Sequence, residues 1–588
     1  MTKFAWVIDQ TSCIGCHACT TACKAENDVP LGVNRTWVKY VERGTFPDTH
    51  RDIAVLRCNH CDDAPCVEVC PTTAMFKRPD GIVDFDTDRC IGCKACIQAC
   101  PYDAIYIDPE KHVAEKCNFC SHRVDEGLLP ACVVVCPTES LIFGDIEDPA
   151  SRAFQIIASK PTTVRRPEQG TRPQAFYVGA SPAALDPLAP VHEDRYMWAD
   201  RRTGGAKDFT AGFGPGVRVE SPTRAAAAGT RSSVRGTMLP VLSGGAAPLG
   251  SVRGPGVRTP SPIAEGPSLT AASMAETVAG PGRAISAATR PGTRVAYDVF
   301  HPRPWGWKVA LYLWTKGVGA GAFGLVFVAA ALGLAPVDQV TRLAAAFISL
   351  VGVGLTALLL VADLKRPERF LMILYRPQRR SWLTIGAFIL IGYSGLLALW
   401  WLGTLVGVDE FALTLLGVPT LGLAAMTALY TMFLLRQCEA RDLWQRPVTG
   451  AVLMAQATIL GAAALLLIVA AVGGPPALVA VGAGALLVGG AINLAALVVG
   501  EAVARHPTAN GRAAAHLLVR GPFAGSFWGG GVFLGGALPV AAVGLWLALG
   551  TVGVAAVPLL VVAGLAAAAG LLWYELGFIA AGQAVPIS

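Results

Sequence analysis

The alternation of apolar and polar positions changes character near residue 305. Beyond it run eight apolar segments, at about 309–335, 343–362, 383–407, 411–435, 448–472, 477–500, 527–549 and 553–575. Each is long enough to cross the hydrocarbon core of a bilayer as a helix, which satisfies every backbone group internally. Glycine recurs in them, as at Gly317, Gly319 and Gly321, and small residues let helices approach closely where lipid offers no hydrophobic drive. The pattern predicts an eight-helix transmembrane bundle.

Before residue 150 the pattern is one of short strand-like runs, such as Gly81-Ile82-Val83-Asp84-Phe85 and Ala104-Ile105-Tyr106-Ile107, set between clusters of cysteine. Little room remains for an apolar core, so bound metal is expected to supply much of this domain's stability. Residues 203–295 are dominated by Gly, Pro, Ala, Ser, Thr and Arg, with ten Lys/Arg against four Asp/Glu, and repeat Gly-Pro-Gly-Val-Arg at 214–218 and 254–258. That composition predicts a disordered linker, a tether between two unlike halves.

Composition sharpens the division. The 588 residues are 53% apolar and 15% charged, too few charges for a wholly soluble protein. The net charge of +6 is too mild over this length to point to nucleic acid; its placement is informative. An even number of spans puts both termini and the loops after the second, fourth and sixth spans on one side. Those loops carry twelve cations: Lys365, Arg366, Arg369, Arg376, Arg379, Arg380, Arg436, Arg441, Arg446, Arg505, Arg512 and Arg520. The opposite loops carry Arg342 alone, beside Asp338, Asp409 and Glu410. The positive-inside rule then places the cysteine-rich half in the cytoplasm. The opening Met-Thr-Lys-Phe-Ala-Trp-Val-Ile-Asp has no signal-peptide core or twin arginine, which agrees.

Sixteen of the 17 cysteines fall within residues 13–136 as four quartets: Cys13, Cys16, Cys19, Cys23; Cys58, Cys61, Cys66, Cys70; Cys90, Cys93, Cys96, Cys100; and Cys117, Cys120, Cys132, Cys136. The third, ending in Cys100-Pro101, has the bacterial ferredoxin spacing, in which three close thiolates hold one cubane and the fourth reaches another. The first repeats that spacing, and the second and fourth widen the middle gap but keep Cys-Pro. Structural zinc is the competing reading of paired Cys-x-x-Cys motifs, yet three thiolates within seven residues suit a cubane corner better than one tetrahedral ion. Cys13-Ile-Gly-Cys16-His17 also matches c-type haem attachment, which would strand Cys19 and Cys23. Four 4Fe-4S clusters are expected, and Cys438, the odd thiol, is read as inert.

With the quartets in place, residues 1 to about 150 resemble the four-cluster ferredoxin subunits of the molybdopterin oxidoreductase complexes, such as the DMSO reductase and polysulfide reductase iron–sulfur subunits. The likeness covers all sixteen cysteines and implies a crossed pairing: Cys13, Cys16, Cys19 with Cys136; Cys117, Cys120, Cys132 with Cys23; Cys58, Cys61, Cys66 with Cys100; Cys90, Cys93, Cys96 with Cys70. The membrane half resembles the NrfD / polysulfide reductase membrane-anchor family in looser motifs: Tyr312-Leu-Trp-Thr-Lys-Gly-Val-Gly-Ala-Gly321, Asp363-Leu-Lys-Arg-Pro-Glu-Arg-Phe370, Ser381-Trp382 and Ala581-Gly582-Gln583. That resemblance implies quinone or quinol exchange. In the best-known members the iron–sulfur subunit sits outside the cytoplasmic membrane, and the orientation expected from the charge count departs from them.

All nine histidines lie outside the eight segments, so no bis-histidine haem is expected, and electrons are expected to pass directly from the last cluster to a quinone near the cytoplasmic end of the bundle. Ionisable groups in lipid are costly and usually functional. Lys308, Tyr312 and Lys316 share one helix face, with Lys316 about 16 Å beyond Trp305 by helix rise. With Asp363, Arg366 and Glu501 they form the candidate quinone site; Tyr430 and Glu575 are secondary candidates.

The expected architecture is an α+β ferredoxin-like iron–sulfur domain of two pseudo-twofold ferredoxin units (1–200), a disordered linker (201–300) and an all-α eight-helix bundle (301–588). No nucleotide-binding fingerprint or molybdopterin-sized domain is present, so substrate chemistry belongs to a partner. The resemblance implies a molybdenum or tungsten catalytic subunit, formate dehydrogenase-like or a reductase, linked to the quinone pool in the cell membrane. The competing expectations are a hydrogenase as partner, and a membrane half that only anchors or translocates protons.

Overall fold

A computed structural model of the chain describes residues 2–190, 197–198, 293–549 and 557–588. The stretch expected to be a linker lies outside these residues up to 292. Its end differs from expectation: Arg294–Asp298 is a strand antiparallel to Thr36–Thr45. Val295 is buried there while Arg294 stays exposed and pairs with Glu42 at 3.0 Å, the one-in, one-out alternation that a strand needs.

The amino-terminal half carries two four-stranded sheets. In one, Phe4–Asp9 lies between Leu141–Asp145, antiparallel, and Ala175–Val178, parallel. In the other, the hairpin Thr36–Thr45 and Asp48–Arg57 is extended by Arg294–Asp298 and Met197–Trp198. Two small hairpins, Met75–Lys77 with Val83–Phe85 and Ile105–Ile107 with Ala114–Lys116, repeat the unit of strand pair and cysteine loop. The apolar core is larger than the sequence suggested. Trp6, Ile8, Trp37, Leu56, Phe119 and Tyr177 are buried together with the cysteines, because short strands such as Phe4–Asp9 bury both faces.

Among the described residues, eight helices are long and apolar enough to cross a membrane: Trp307–Ala331, Gln339–Asp363, Trp382–Val406, Glu410–Gln437, Val448–Val472, Pro476–Val503, Ser526–Ala548 and Val557–Ala584. They lie on the expected segments, and the chain is a multi-pass membrane protein. The first and fifth are the most buried and cross at glycines. A Cβ on Gly321 would sit 1.9 Å from the Ala457 carbonyl oxygen, and one on Gly461 would sit 2.4 Å from that of Gly321, so backbones touch where only glycine fits. The sixth span ends, and the seventh begins, in wide π-type turns at Val498–Val503 and Ser526–Ala537. Such turns are frequent at functional sites.

Candidate functional site

The first Cys-x-x-Cys loop of each quartet turns through a left-handed residue at the same place: Gly15, His60, Gly92 and Phe119 have φ of 69°, 46°, 68° and 60°. Glycine adopts this at little cost, whereas at His60 and Phe119 it costs about 1–2 kcal/mol each, a strain of the kind that persists at ligand clamps. Gly92 has a second reason. A Cβ there would meet the Lys365 Cβ at 2.6 Å and the His112 carbonyl oxygen at 2.9 Å, so the loop could not lie against the chain leaving the second span.

The thiols surround cavities. One, with about 250 Å³ of unfilled space, is lined by Cys23, Cys117, Cys120 and Cys132 together with Arg35 and Arg57. Another, with about 360 Å³, is lined by Cys70, Cys90, Cys93 and Cys96. Cys58, Cys61, Cys66 and Cys100 lie within electrostatic reach of one another, and Cys13 lies in reach of Cys16, Cys19 and Cys136. Each set draws three thiols from one motif and one from another. Four thiols, three of them close together in sequence, around one cavity are a donor set that fits an iron–sulfur cluster.

The sets follow one another across the domain. Cys19 lies in reach of Cys132, Cys117 of Cys58, and Cys96 of Cys66. At one end Cys16 is exposed beside the exposed apolar residues Ile14, Val134 and Val135. At the other, the loop of Cys90, Cys93 and Cys96 is held against the membrane half. Lys94 pairs with Asp363 at 2.8 Å, the Lys365 and Arg366 backbone N–H groups donate to Gly92 and Ile91, and the Trp305 indole donates to the Cys93 carbonyl at 3.3 Å. Behind it runs a buried chain: Arg441 donates to Gln98 at 2.7 Å, Gln98 donates to Gln583 at 2.6 Å, and Gln583 brackets Trp305 with two bonds. Trp305 stacks on Trp444 at 5.6 Å. Glutamine, arginine and tryptophan at span ends carry no signal in one chain; only Gln583 belongs to a recognisable motif.

Below this junction the structure divides the six candidate quinone residues. Tyr312 and Lys316 are buried within the bundle. Lys316 Nζ donates to the Ala428 carbonyl at 3.0 Å and to Thr431 Oγ1, and lies 5.0 Å from the Tyr430 ring centroid. Glu575, also buried, lies beside Gln456 and within electrostatic reach of Lys316. Its Oε2 has no hydrogen-bond partner among the described residues. Lys308 sits at the mouth and donates to the Ala362 carbonyl at 2.7 Å. Asp363 and Arg366 face the cysteine half instead: Asp363 holds Lys94, and Arg366 Nε donates to the Lys111 carbonyl at 2.8 Å. Glu501 stands apart in its π-type turn, paired with His506 at 3.1 Å and buried with it. Tyr574, in reach of Glu501 and Glu575, lies between the two groups. Gln456, a lone amide in an apolar run, is the member that polarity within a span could have flagged.

Just outside the bundle, His301 is enclosed by Asp103 at 2.9 Å and Asp298 at 3.6 Å, and its Nε2 lies 3.1 Å from Ser588 Oγ. Burial alone would lower its pKa, but the two carboxylates outweigh it and push it up to about 10. Asp103 and Asp298 are held below the usual range, their burial overcome chiefly by His301 and, for Asp298, Lys39.

Comparison with known proteins agrees with this division. Residues 12–75 and 50–146 match family models described as 4Fe-4S dicluster domain, and residues 297–587 match that described as Polysulphide reductase, NrfD. The first half is 45% identical over 190 residues to the tetrathionate reductase B subunit of Salmonella typhimurium, covering 32% of this chain and 76% of that protein. It is 45% identical over 183 residues to the polysulfide reductase B component of Wolinella succinogenes, covering 30% and 94%. Protein NrfC of Escherichia coli is 44% identical over 179 residues, covering 30% and 80%.

Proposed function

Because the chain belongs to the 4Fe-4S dicluster subunits of reductase complexes in its first half and to the NrfD family in its second, we propose that it connects a molybdopterin-type catalytic subunit to the membrane quinone pool through four 4Fe-4S clusters. At its coarsest it is an iron–sulfur electron-transfer subunit fused to an NrfD-type membrane module. The observation that carries the finer reading is the succession of thiol sets from the exposed Cys16 to the Cys93 loop held on Trp305 and Asp363.

A bound 4Fe-4S cluster takes up and releases one electron at a time. The chain's own residues do the rest. The sixteen paired cysteines hold the clusters, and Ile14, Val134 and Val135 around the exposed end offer the partner an apolar rim. The Lys94–Asp363 pair and the Gln98–Gln583–Trp305 bonds keep the last thiol set against the bundle. Lys316 is the proposed donor to a quinone carbonyl, with Tyr312 beside it and Glu575 able to hold a proton. Asp363 and Arg366 belong to the junction in this proposal rather than to quinone contact, Lys308 guards the mouth, and Glu501 with His506 lies on the proton side.

In purified protein with chemically reduced clusters, added quinone is expected to reoxidise them, and Lys316→Met is expected to slow that step by about 10²-fold or more with iron and sulfide unchanged. Reoxidation that is absent in the wild type, or equally fast in the variant, contradicts the quinone role.

The same reading places the iron–sulfur half in the cytoplasm. Arg366, Arg369 and Arg441 bond to that half, so the orientation rests chiefly on the remaining loop cations. Opposite them Arg342 is paired with Glu410 at 2.6 Å. A reporter active only in the cytosol, fused at the carboxyl terminus, is expected to be active, and an exported terminus would contradict this orientation.

A further inference from the structure

Arg57 closes the strand Asp48–Arg57 and directly precedes Cys58, yet its side chain lines the cavity of Cys23, Cys117, Cys120 and Cys132. It is fully buried. Its guanidinium carbon lies 4.3 Å from the Trp6 ring centroid, and Nη1 donates to Cys132 Sγ at 3.3 Å. Nε and Nη2 have no hydrogen-bond partner among the described residues. Among those residues it forms no ion pair with a carboxylate; the groups in its electrostatic reach include the thiols of Cys132 and Cys117 of one set and of Cys19 and Cys13 of the next. The other cations near the thiols differ. Arg35, on the same cavity, pairs with Glu115 at 2.7 Å, Lys94 pairs with Asp363, and Lys116 donates to the Val83 and Cys117 carbonyls.

A buried guanidinium is costly unless an anion compensates it. A cubane held by four thiolates is anionic and becomes more so on reduction, and nearby charge and hydrogen bonds to sulfur set its potential. We infer that Arg57 is a positioning cation that raises the reduction potentials of the two clusters held by Cys23, Cys117, Cys120, Cys132 and by Cys13, Cys16, Cys19, Cys136. The inference rests on the cluster assignment proposed above. It makes the partner-facing half of the chain of clusters the easier half to reduce; toward the membrane the cation's reach extends to His60, between Cys58 and Cys61.

Redox titration of the full-length protein followed by EPR tests it. In Arg57→Gln, the two clusters named are expected to become roughly tenfold or more harder to reduce, ~59 mV for a one-electron couple, while the cluster of Cys90, Cys93, Cys96 and Cys70 stays in place; Arg57→Lys is expected to stay close to wild type. In protein labelled with ¹⁵N-arginine, pulsed EPR of the reduced wild type is expected to show a cluster coupled to arginine nitrogen, and Arg57→Lys to lose that coupling. Unchanged potentials in Arg57→Gln with wild-type iron content, an equal shift of all four clusters, or a coupling that survives Arg57→Lys overturns the inference. If Arg57→Gln fails to retain iron, the coupling in Arg57→Lys decides. Wild-type protein without cubane signals would instead overturn the cluster assignment.

Discussion

Replacing Cys93 and Cys96 together by alanine is expected to remove about four of roughly sixteen irons per chain and to bring quinone-linked reoxidation to background, while the clusters at the exposed end still accept electrons. Both thiols line the cavity that also holds Cys70 and Cys90, and this is the set whose loop touches Trp305 and pairs through Lys94 with Asp363. Without it the next set, Cys58, Cys61, Cys66 and Cys100, has no intermediary to the bundle. The matching change at the far end, Cys13 and Cys16 to alanine, is expected to give the converse: normal reoxidation by quinone from clusters reduced by a small-molecule donor, but no reduction by a protein partner docked at that end. Iron analysis, EPR and stopped-flow reoxidation measure all of this. Quinone-linked rates that survive loss of the Cys93 and Cys96 thiols would contradict the proposed order.

His301→Ala is expected to lower the apparent unfolding temperature by on the order of 10 °C. The imidazolium is the shared partner of Asp103 and Asp298, and removing one member of a buried charged group costs about 3–5 kcal/mol because the carboxylates are left uncompensated. The effect depends on pH. The folded-state pKa of His301, about 10, lies above the unfolded value of about 6.5, so its stabilisation is complete below that value and fades as pH rises toward 10. Asp103 and Asp298 are depressed, so their share is present above the unfolded carboxylate pKa and is lost as pH falls through the lower folded value. The gap between wild type and variant is therefore expected to be widest between about pH 4.5 and 6.5 and to narrow toward pH 10. Thermal unfolding of detergent-solubilised protein across that range measures it; a gap independent of pH would mean that His301 packs rather than pairs.

The spans and thiol motifs were readable because each is a local pattern. A run of some twenty apolar residues must be helical in lipid whatever surrounds it, and Cys-Ile-Gly-Cys-Lys-Ala-Cys fits a cubane corner by spacing alone. Residues with long-range partners were harder to place. Asp363 and Arg366, charged and close to a span, read as quinone ligands; Asp363 meets Lys94 across 269 positions of chain and Arg366 bonds to the Lys111 carbonyl. Arg57 looked like an ordinary strand residue. Its significance comes from Cys132 and Trp6, which only folding brings to it.

From the sequence alone came the two-part construction, the eight crossings, the sixteen thiols and the asymmetry of loop charge. These follow from periodicity, composition and spacing, which act over a few turns of chain. Tertiary structure decided which thiols share a cavity, which end of the domain meets the bundle, that Lys316 lies within electrostatic reach of Glu575 while Glu501 pairs with His506, and that the chain's return at Arg294–Asp298 completes a sheet. The physical reason is that a buried charge is tolerated only beside a compensating group, and in this protein that group usually stands on a distant segment.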